Sequence, residues 1–385
     1  MKKVIYIGYY DCIDNRIERR GYALSAVNKM TYICNAIALN SNSIQIVSPS
    51  QTTNQMCCRA HEINIDDRVS LKLFFTLGRR GWFSKILRKA VMDIQVFGFL
   101  ICHLNKGQNV IVYHSLGYVR LIQVLKRIIR FNLILEVEEI YADVTGDSNA
   151  RKSEYKLFQC ADAYIFPTEL LNEKLNPEHK PHCIIYGTYQ VEEDRHCSFG
   201  DGKIHVVYAG TFDPRKGGAA AAAAAAGFLP ANYHVHIIGF GSKEDTDHIK
   251  TVIAEVSGRS AATVTYDGCL SGEEYIRFIQ SCDIGLSTQN PNTAFNDTSF
   301  PSKILSYMAN GLRVVSIRIP AIEKSAIGDL VTYYDMQTPE AIAKAIMSID
   351  MQIPYDSRAR IIELDTKFQK EIGQLVEGLN CEHCR

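Results

Sequence analysis

The stretch SFPSKILSYMANG, residues 299–311, sets a rigid turn, a hydroxyl and a cation ahead of an apolar helical run that Gly311 closes. Two chemistries fit Ser302 and Lys303. Ser302 can cap orphan backbone N–H groups at a helix start. Alternatively, the partial positive charge of that helix start, reinforced by Lys303, makes a seat for phosphate. A second junction, YAGTFDPRKGG (208–218), runs from a strand-like segment through Gly210 and Thr211 to Arg215 and Lys216 at the opening of a helix. Glycine permits close backbone approach and two cations at a helix start suit a diphosphate; a charged surface turn is the plainer reading. At the third, IIGFGS (237–242), Gly239 and Gly241 flank Phe240, a spacing that many strand-to-helix turns use for geometry alone. Three such junctions in one half of the chain argue for anion binding where a single one would not.

The first half offers acid–base groups. In NLILEVEEIYADV (132–144), Glu136, Glu138, Glu139 and Asp143 gather at the end of an apolar run. Burial and like charge there raise one carboxylate's pKa, which suits deprotonation of a hydroxyl. Glu138 is the first choice and Glu139 the reserve, both near the strand's carboxyl end; capping of the next helix or a solvent-facing role is the alternative. His114, in VYHSLGY (112–118), is a second acid–base or hydrogen-bonding candidate beside a purely structural role. Residues 78–89, GRRGWFSKILRK, mix Arg79, Arg80, Lys85, Arg88 and Lys89 with Trp82, Phe83, Ile86 and Leu87. Such a basic amphipathic helix lies well on an anionic membrane surface, unless it is a solvated helix with one packed face. The tail CEHC (381–384) lacks the four ligands of a zinc site, and no metal ligand is assigned.

Strand-like and helix-like runs that alternate almost from end to end must position these groups, and that rhythm specifies α/β architecture with parallel sheets. The 385 residues exceed one typical core. A charged, glycine-containing break, QVEEDRHCSFGDG (190–202), divides them. The expected organisation is an N-terminal lobe over 1–190, a C-terminal lobe over 191–355 facing it across a cleft, and a final helix within 356–385 packing back toward the first lobe. The eight alanines 219–226 read as a close-packed helix. The 42 basic and 42 acidic residues balance, so nothing calls for nucleic acid. Neither a secretory signal nor a membrane-spanning helix is expected, and 12 scattered cysteines suit a reducing cytoplasm.

YAGTFDPRKGG, GCLSGEEYIRFIQSCDIGLSTQ (268–289) and FPSKILSYMANGLRVVS (300–316) together resemble, in order and spacing over about 203–335, the donor lobe of GT-B-fold glycosyltransferases of the group 1 class. The resemblance implies two Rossmann-like lobes and a nucleotide-diphosphate sugar as co-substrate, a UDP-sugar rather than a GDP-sugar, with no further cofactor. It places Lys216 at the diphosphate, Gly239 and Gly241 at the nucleotide-side turn, Leu270 at a base-contacting backbone position, and Ser302 and Lys303 at a second diphosphate contact. It also implies metal-independent transfer to a glycan hydroxyl in bacterial surface polysaccharide synthesis, such as lipopolysaccharide O-antigen, capsule or exopolysaccharide. The acceptor would be lipid-linked and the setting the inner face of the cytoplasmic membrane, with peripheral contact through 79–89. Two glutamates frequent in the family are replaced by Thr298 and Ser306, and an arginine by Thr211. Ser306 therefore offers ribose only a hydroxyl, and retaining stereochemistry is not implied. The rivals are a nucleotide-sugar epimerase of the same fold and a binding subunit without catalysis.

Overall fold

The computed structural model describes all residues except 1–2, 13–16, 41, 80, 143–147, 215–217, 291–298 and 382–385. Two compact units result: Met1–Pro167 with Leu171–Thr188 and Lys367 onward, and Tyr189–Thr366 with Thr168–Leu170.

The first unit is built on eight strands: β1 (Lys3–Ile7), β2 (Ser43–Ser48), β3 (His61–Asn64), β4 (Val69–Leu73), β5 (Asn109–Tyr113), β6 (Asn132–Glu136), β7 (Ala163–Phe166) and β8 (His182–Ile184). Their order is β3-β4-β2-β1-β5-β6-β7-β8, parallel except for β3 against β4. Runs such as NVIVY and NLILE are buried on almost every residue, as strands covered on both faces must be. The apolar runs KVIYIGYY, SIQIVSPS, VSLKLFFTLG, NVIVYHS, NLILEVEE, ADAYIFPT and HCIIYGTY, strand-like in the sequence, each contain a strand. The unexpected β3 alternates half-buried and exposed residues, too short and polar to announce itself, as befits an edge. The helices are α1 (Leu24–Leu39), α2 (Gly81–His103), α3 (Val119–Ile129), α4 (Ser148–Cys160) and α5 (Glu169–Leu175), the last bridging residues assigned to both units.

The second unit contains β9 (Ile204–Thr211), β10 (Tyr233–Phe240), β11 (Thr263–Gly268), β12 (Ile284–Ser287), β13 (Arg313–Ile317) and β14 (Val331–Tyr334). The six, each falling on one of the strand-like runs KIHVVYAGTF, YHVHIIGFG, ATVTYDGCL, DIGLSTQ, LRVVSIR and LVTYYD, form one parallel sheet of order β11-β10-β9-β12-β13-β14, the doubly wound pattern whose direction of winding reverses between β9 and β12. Between them run α6 (Ala219–Ala225), α7 (Lys243–Ser257), α8 (Gly272–Gln280), α9 (Lys303–Ala309), α10 (Pro320–Glu323) and α11 (Pro339–Met347). The alanine run is helical, and Ala222, Ala223 and Ala225 are wholly buried, so the absent side chains allow the helix to lie close on its neighbours. A last helix, α12 (Ser357–Cys381), contributes Phe368, Ile372 and Val376 to the first unit's core. There Asn109 donates from Nδ2 to Val376 O at 2.6 Å and Asn132 to Leu379 O at 3.1 Å. No described helix is long and apolar enough to cross a membrane.

Candidate functional site

In doubly wound sheets ligands gather at the carboxyl ends of the strands where the winding reverses. In the second unit that point lies between β9 and β12, which pair only through Ile284 with Val206 and Gly285 with Val207 before separating. Tyr307 of α9 fills the gap: its hydroxyl accepts from Ala209 N at 2.8 Å and donates to Leu286 O at 3.3 Å. Gly285 makes this possible, because a Cβ there would stand 2.3 Å from the Tyr307 ring. One strand over, Gly239 sits opposite Gly210 at φ 141°, and a Cβ on it would stand 1.8 Å from Gly210 O. The glycines thus serve close packing of strand ends.

Lys303 opens α9 at this corner. Its Nζ stands 4.2 Å from the centre of the Tyr208 ring, and 3.2 Å from where a methyl on Gly210 would lie. No described carboxylate pairs with it. Burial without a counter-ion pushes its ammonium down to about 8, so the group remains a cation at neutral pH but gains from an anion brought to it. The helix start itself contributes less. Ser302 is exposed and makes no side-chain cap, contrary to the capping expectation. The amides of Ile304, Leu305 and Ser306 already bond to the carbonyls of Pro301 and Ser302, so the local positive charge resides mainly on Lys303.

The other expected donor residues distribute around this corner. Thr211 ends β9, its carbonyl accepting from Tyr208 OH at 2.8 Å and its Oγ1 from Asp213 N at 3.2 Å. Gly241 is exposed beside Phe212 and Asp245, and Leu270 lies half-buried in the loop between β11 and α8. The Ser306 hydroxyl is 3.2 Å from Tyr275 OH on α8, so it already has a protein partner. Arg215, Lys216 and Thr298 lie outside the described residues. Tyr208 and Tyr307 were passed over in the sequence; an aromatic at a strand or helix interior carries no local signal that it will shape a polar corner.

In the first unit the acids resolve into a buried network. Glu136 is wholly buried and accepts from Tyr6 OH. Burial, with Glu138 alongside, pushes it up to about 8 against the opposing pull of Lys29. The carboxylate held protonated is therefore Glu136, whereas Glu138 is half-buried and paired with Lys29 at 2.6 Å. Lys29, from α1, also donates to Ile185 O at 3.0 Å. Glu139 is half-buried, and after burial itself is the main influence raising Tyr141 to about 12. His114 is 1 % exposed, with Nε2 3.3 Å from Glu154 Oε1 and its ring stacked on Tyr141. Burial pushes it down to about 4 and keeps it neutral. Asp143 lies outside the described residues.

The same unit holds a cavity of about 660 Å³ under the first half of α2, walled chiefly by Ile7, Tyr9, Met92, Val96, Tyr118 and Leu121. Lys85 and Lys89 stand at its polar edge. Lys89 pairs with Asp93 at 2.7 Å, while Lys85 makes no ion pair among the described residues. On α2, Met92, Val96 and Leu100 are buried one turn apart, whereas Ile86, Leu87 and Ile94 are 62, 57 and 71 % exposed.

Residues 203–349 match the family described as Glycosyl transferases group 1, almost the whole of the second unit. The second unit thus carries a glycosyltransferase group 1 domain. Solved structures share the fold of this chain over nearly its full length. A trehalose 6-phosphate synthase from Burkholderia multivorans has a TM-score of 0.68 at 11 % identity, covering 100 % of this chain and 97 % of its own. An E. coli structure described as trehalose-6-phosphate bound with UDP-2-fluoro glucose has 0.66 at 10 %, covering 98 % and 99 %. A sucrose-phosphate synthase from Thermosynechococcus elongatus has 0.64 at 13 %, covering 100 % and 97 %. The GT-B fold expected from the sequence is thus the fold observed. No curated protein matches the chain in sequence.

Proposed function

We propose that the protein moves a sugar from a nucleotide-diphosphate sugar, with UDP favoured over GDP, to a hydroxyl of a lipid-linked glycan. The setting would be bacterial surface polysaccharide synthesis at the inner face of the cytoplasmic membrane. The observation that carries the donor half is Lys303, a cation without a counter-ion among the described residues at the point where the second sheet reverses its winding. A departing diphosphate would complete that pair, and charge stabilisation of a leaving group by a preorganised cation is a large catalytic effect. Glu138, the half-exposed member of the Lys29–Glu138–Glu136 group, is the acid–base candidate, with Glu139 beside it. His114 is too enclosed to meet a substrate without a rearrangement of its neighbours.

The lipid-linked acceptor draws support from the apolar cavity beneath α2 and from the exposed Ile86, Leu87 and Ile94 with Lys85 on that helix. A free sugar phosphate is the second reading, favoured by the phosphorylated products named for the similar synthases. A thermal-shift panel of UDP, GDP and ADP tests the donor. Stabilisation led by UDP, lost in Lys303→Met, is expected; indifference to every nucleotide overturns it. Transfer assays with a polyprenyl-diphosphate glycan against glucose 6-phosphate then decide the acceptor.

A further inference from the structure

Three histidines lie side by side on the second sheet, away from the donor corner. His234 and His236 occupy positions two apart on β10 and so share one face, and His205 of β9 pairs in register with His234. One ring nitrogen of each lies within 4.8 Å of those of the other two. His205 stands six residues before Thr211, which at about 3.3 Å per residue sets the cluster roughly 20 Å along the strand from its carboxyl end.

The hydrogen bonds around the cluster fix which nitrogens carry the hydrogens. His205 Nε2 is 2.9 Å from Asp201 Oδ1, and His236 Nδ1 is 3.1 Å from Asp267 Oδ2. A carboxylate accepts, so each of these outer nitrogens carries the hydrogen. Thr265 Oγ1 donates to Asp267 at 2.8 Å and thus accepts from His234 Nε2 at 3.0 Å, which assigns the hydrogen there too. All three imidazoles are left with a lone pair on the remaining nitrogen. Two of these, His205 Nδ1 and His236 Nε2, face each other at 2.9 Å, and both residues are buried. Facing lone pairs at that distance repel unless a cation, either a proton or a metal ion, stands between them.

We infer that His205, His234 and His236 form a site for a divalent transition-metal ion, with zinc the best match and a water molecule as its fourth ligand. Three imidazoles suit that class of ion, and outer nitrogens tied to carboxylates are the usual support of metal-binding histidines. Asp201 and Asp267 also supply two negative charges against a 2+ ion. Zinc–nitrogen bonds of about 2.0–2.1 Å in tetrahedral geometry need ligand nitrogens about 3.3 Å apart; the His205–His236 pair stands at 2.9 Å, and a nitrogen of His234 lies within 4.8 Å of both. Phe199 stacks on His205 at 4.1 Å and on His236 at 4.9 Å, and Asp201 belongs to the same segment. The ion would therefore pin the chain entering the second unit to the first two strands of its sheet.

The test uses full-length chain in which Cys381→Ser, His383→Asn and Cys384→Ser remove the tail ligands. It is stripped with chelator and titrated with Co²⁺ and then Zn²⁺. One equivalent should bind with the ligand-field spectrum of a nitrogen site and no thiolate charge-transfer band, and Zn²⁺ should displace it. His234→Ala should abolish stoichiometric binding. Asp267→Asn, which spares all three ligands and covers the case that His234→Ala misfolds, should weaken it about 10–100-fold. Absence of a bound equivalent, a thiolate band, or affinity unmoved by Asp267→Asn would overturn the site and leave a proton shared between His205 and His236.

Discussion

The two units share a sheet plan yet treat their cations in opposite ways. In the first, Lys29 is buried against Glu138 and Ile185 O, with protonated Glu136 behind, so the charges of the strand ends are satisfied within the protein. In the second, Lys303 has an aromatic ring beside it and no described carboxylate. A cation kept partly desolvated and unpaired lowers the stability of the empty protein and raises its affinity for an anion. A paired one does neither. The first sheet's strand ends accordingly lead to an apolar cavity, the second's to an unanswered positive charge.

The same substitution should break this contrast in opposite directions. Lys29→Met leaves Glu138 without its cation and should lower unfolding stability by about 4 kcal/mol, read by urea denaturation. Lys303→Met should instead reduce kcat/KM for the nucleotide sugar about 100-fold, some 2.7 kcal/mol. It should also raise stability at pH 7 by roughly 1 kcal/mol, since a desolvated charge is removed. If Lys303→Met destabilises as Lys29→Met does, the contrast is lost.

Tyr307→Phe isolates the packing of the donor corner from its charge. It strands the buried Ala209 N–H and should cost about 2 kcal/mol in stability while leaving Lys303 in place. Retention of wild-type stability would mean that the split between β9 and β12 needs no bridge.

Smaller effects sharpen the comparison through pH. Glu136 in the folded chain holds its proton up to about pH 8, whereas the unfolded chain releases it near 4.5. The native state binds more protons in that window, so stability falls as pH rises through it. Glu136→Gln should flatten the profile. For Lys303 the folded value is depressed to about 8 from 10.5, so over pH 8–10.5 the unfolded chain binds more protons and this group's contribution to stability rises with pH. Diphosphate binding favours the charged form, so affinity should fall above pH 8 in the wild type and stay level in Lys303→Gln, measured by calorimetry.

How much could be read without the fold follows from the range over which each signal acts. Alternating apolar runs and glycine-marked turns are properties of short windows, and they specified the two parallel sheets, the alanine helix and Lys303 at a strand-to-helix corner. Even so, β3 escaped because an edge strand of four residues, none of them fully buried, leaves too little apolar pattern.

The amino-acid order alone determined the α/β fold, the group 1 resemblance and the residue types available for anion binding. Tertiary structure decided their electrostatic state. That Glu136 is held protonated, against the pull of Lys29 more than a hundred positions away, depends on its complete burial under neighbouring strands and on Glu138 alongside. That Lys303 meets no carboxylate among the described residues, and that His205 meets His234 and His236, depends likewise on which strands lie adjacent. Desolvation and charge pairing are set by neighbours in space, and only the folded sheet supplies those neighbours.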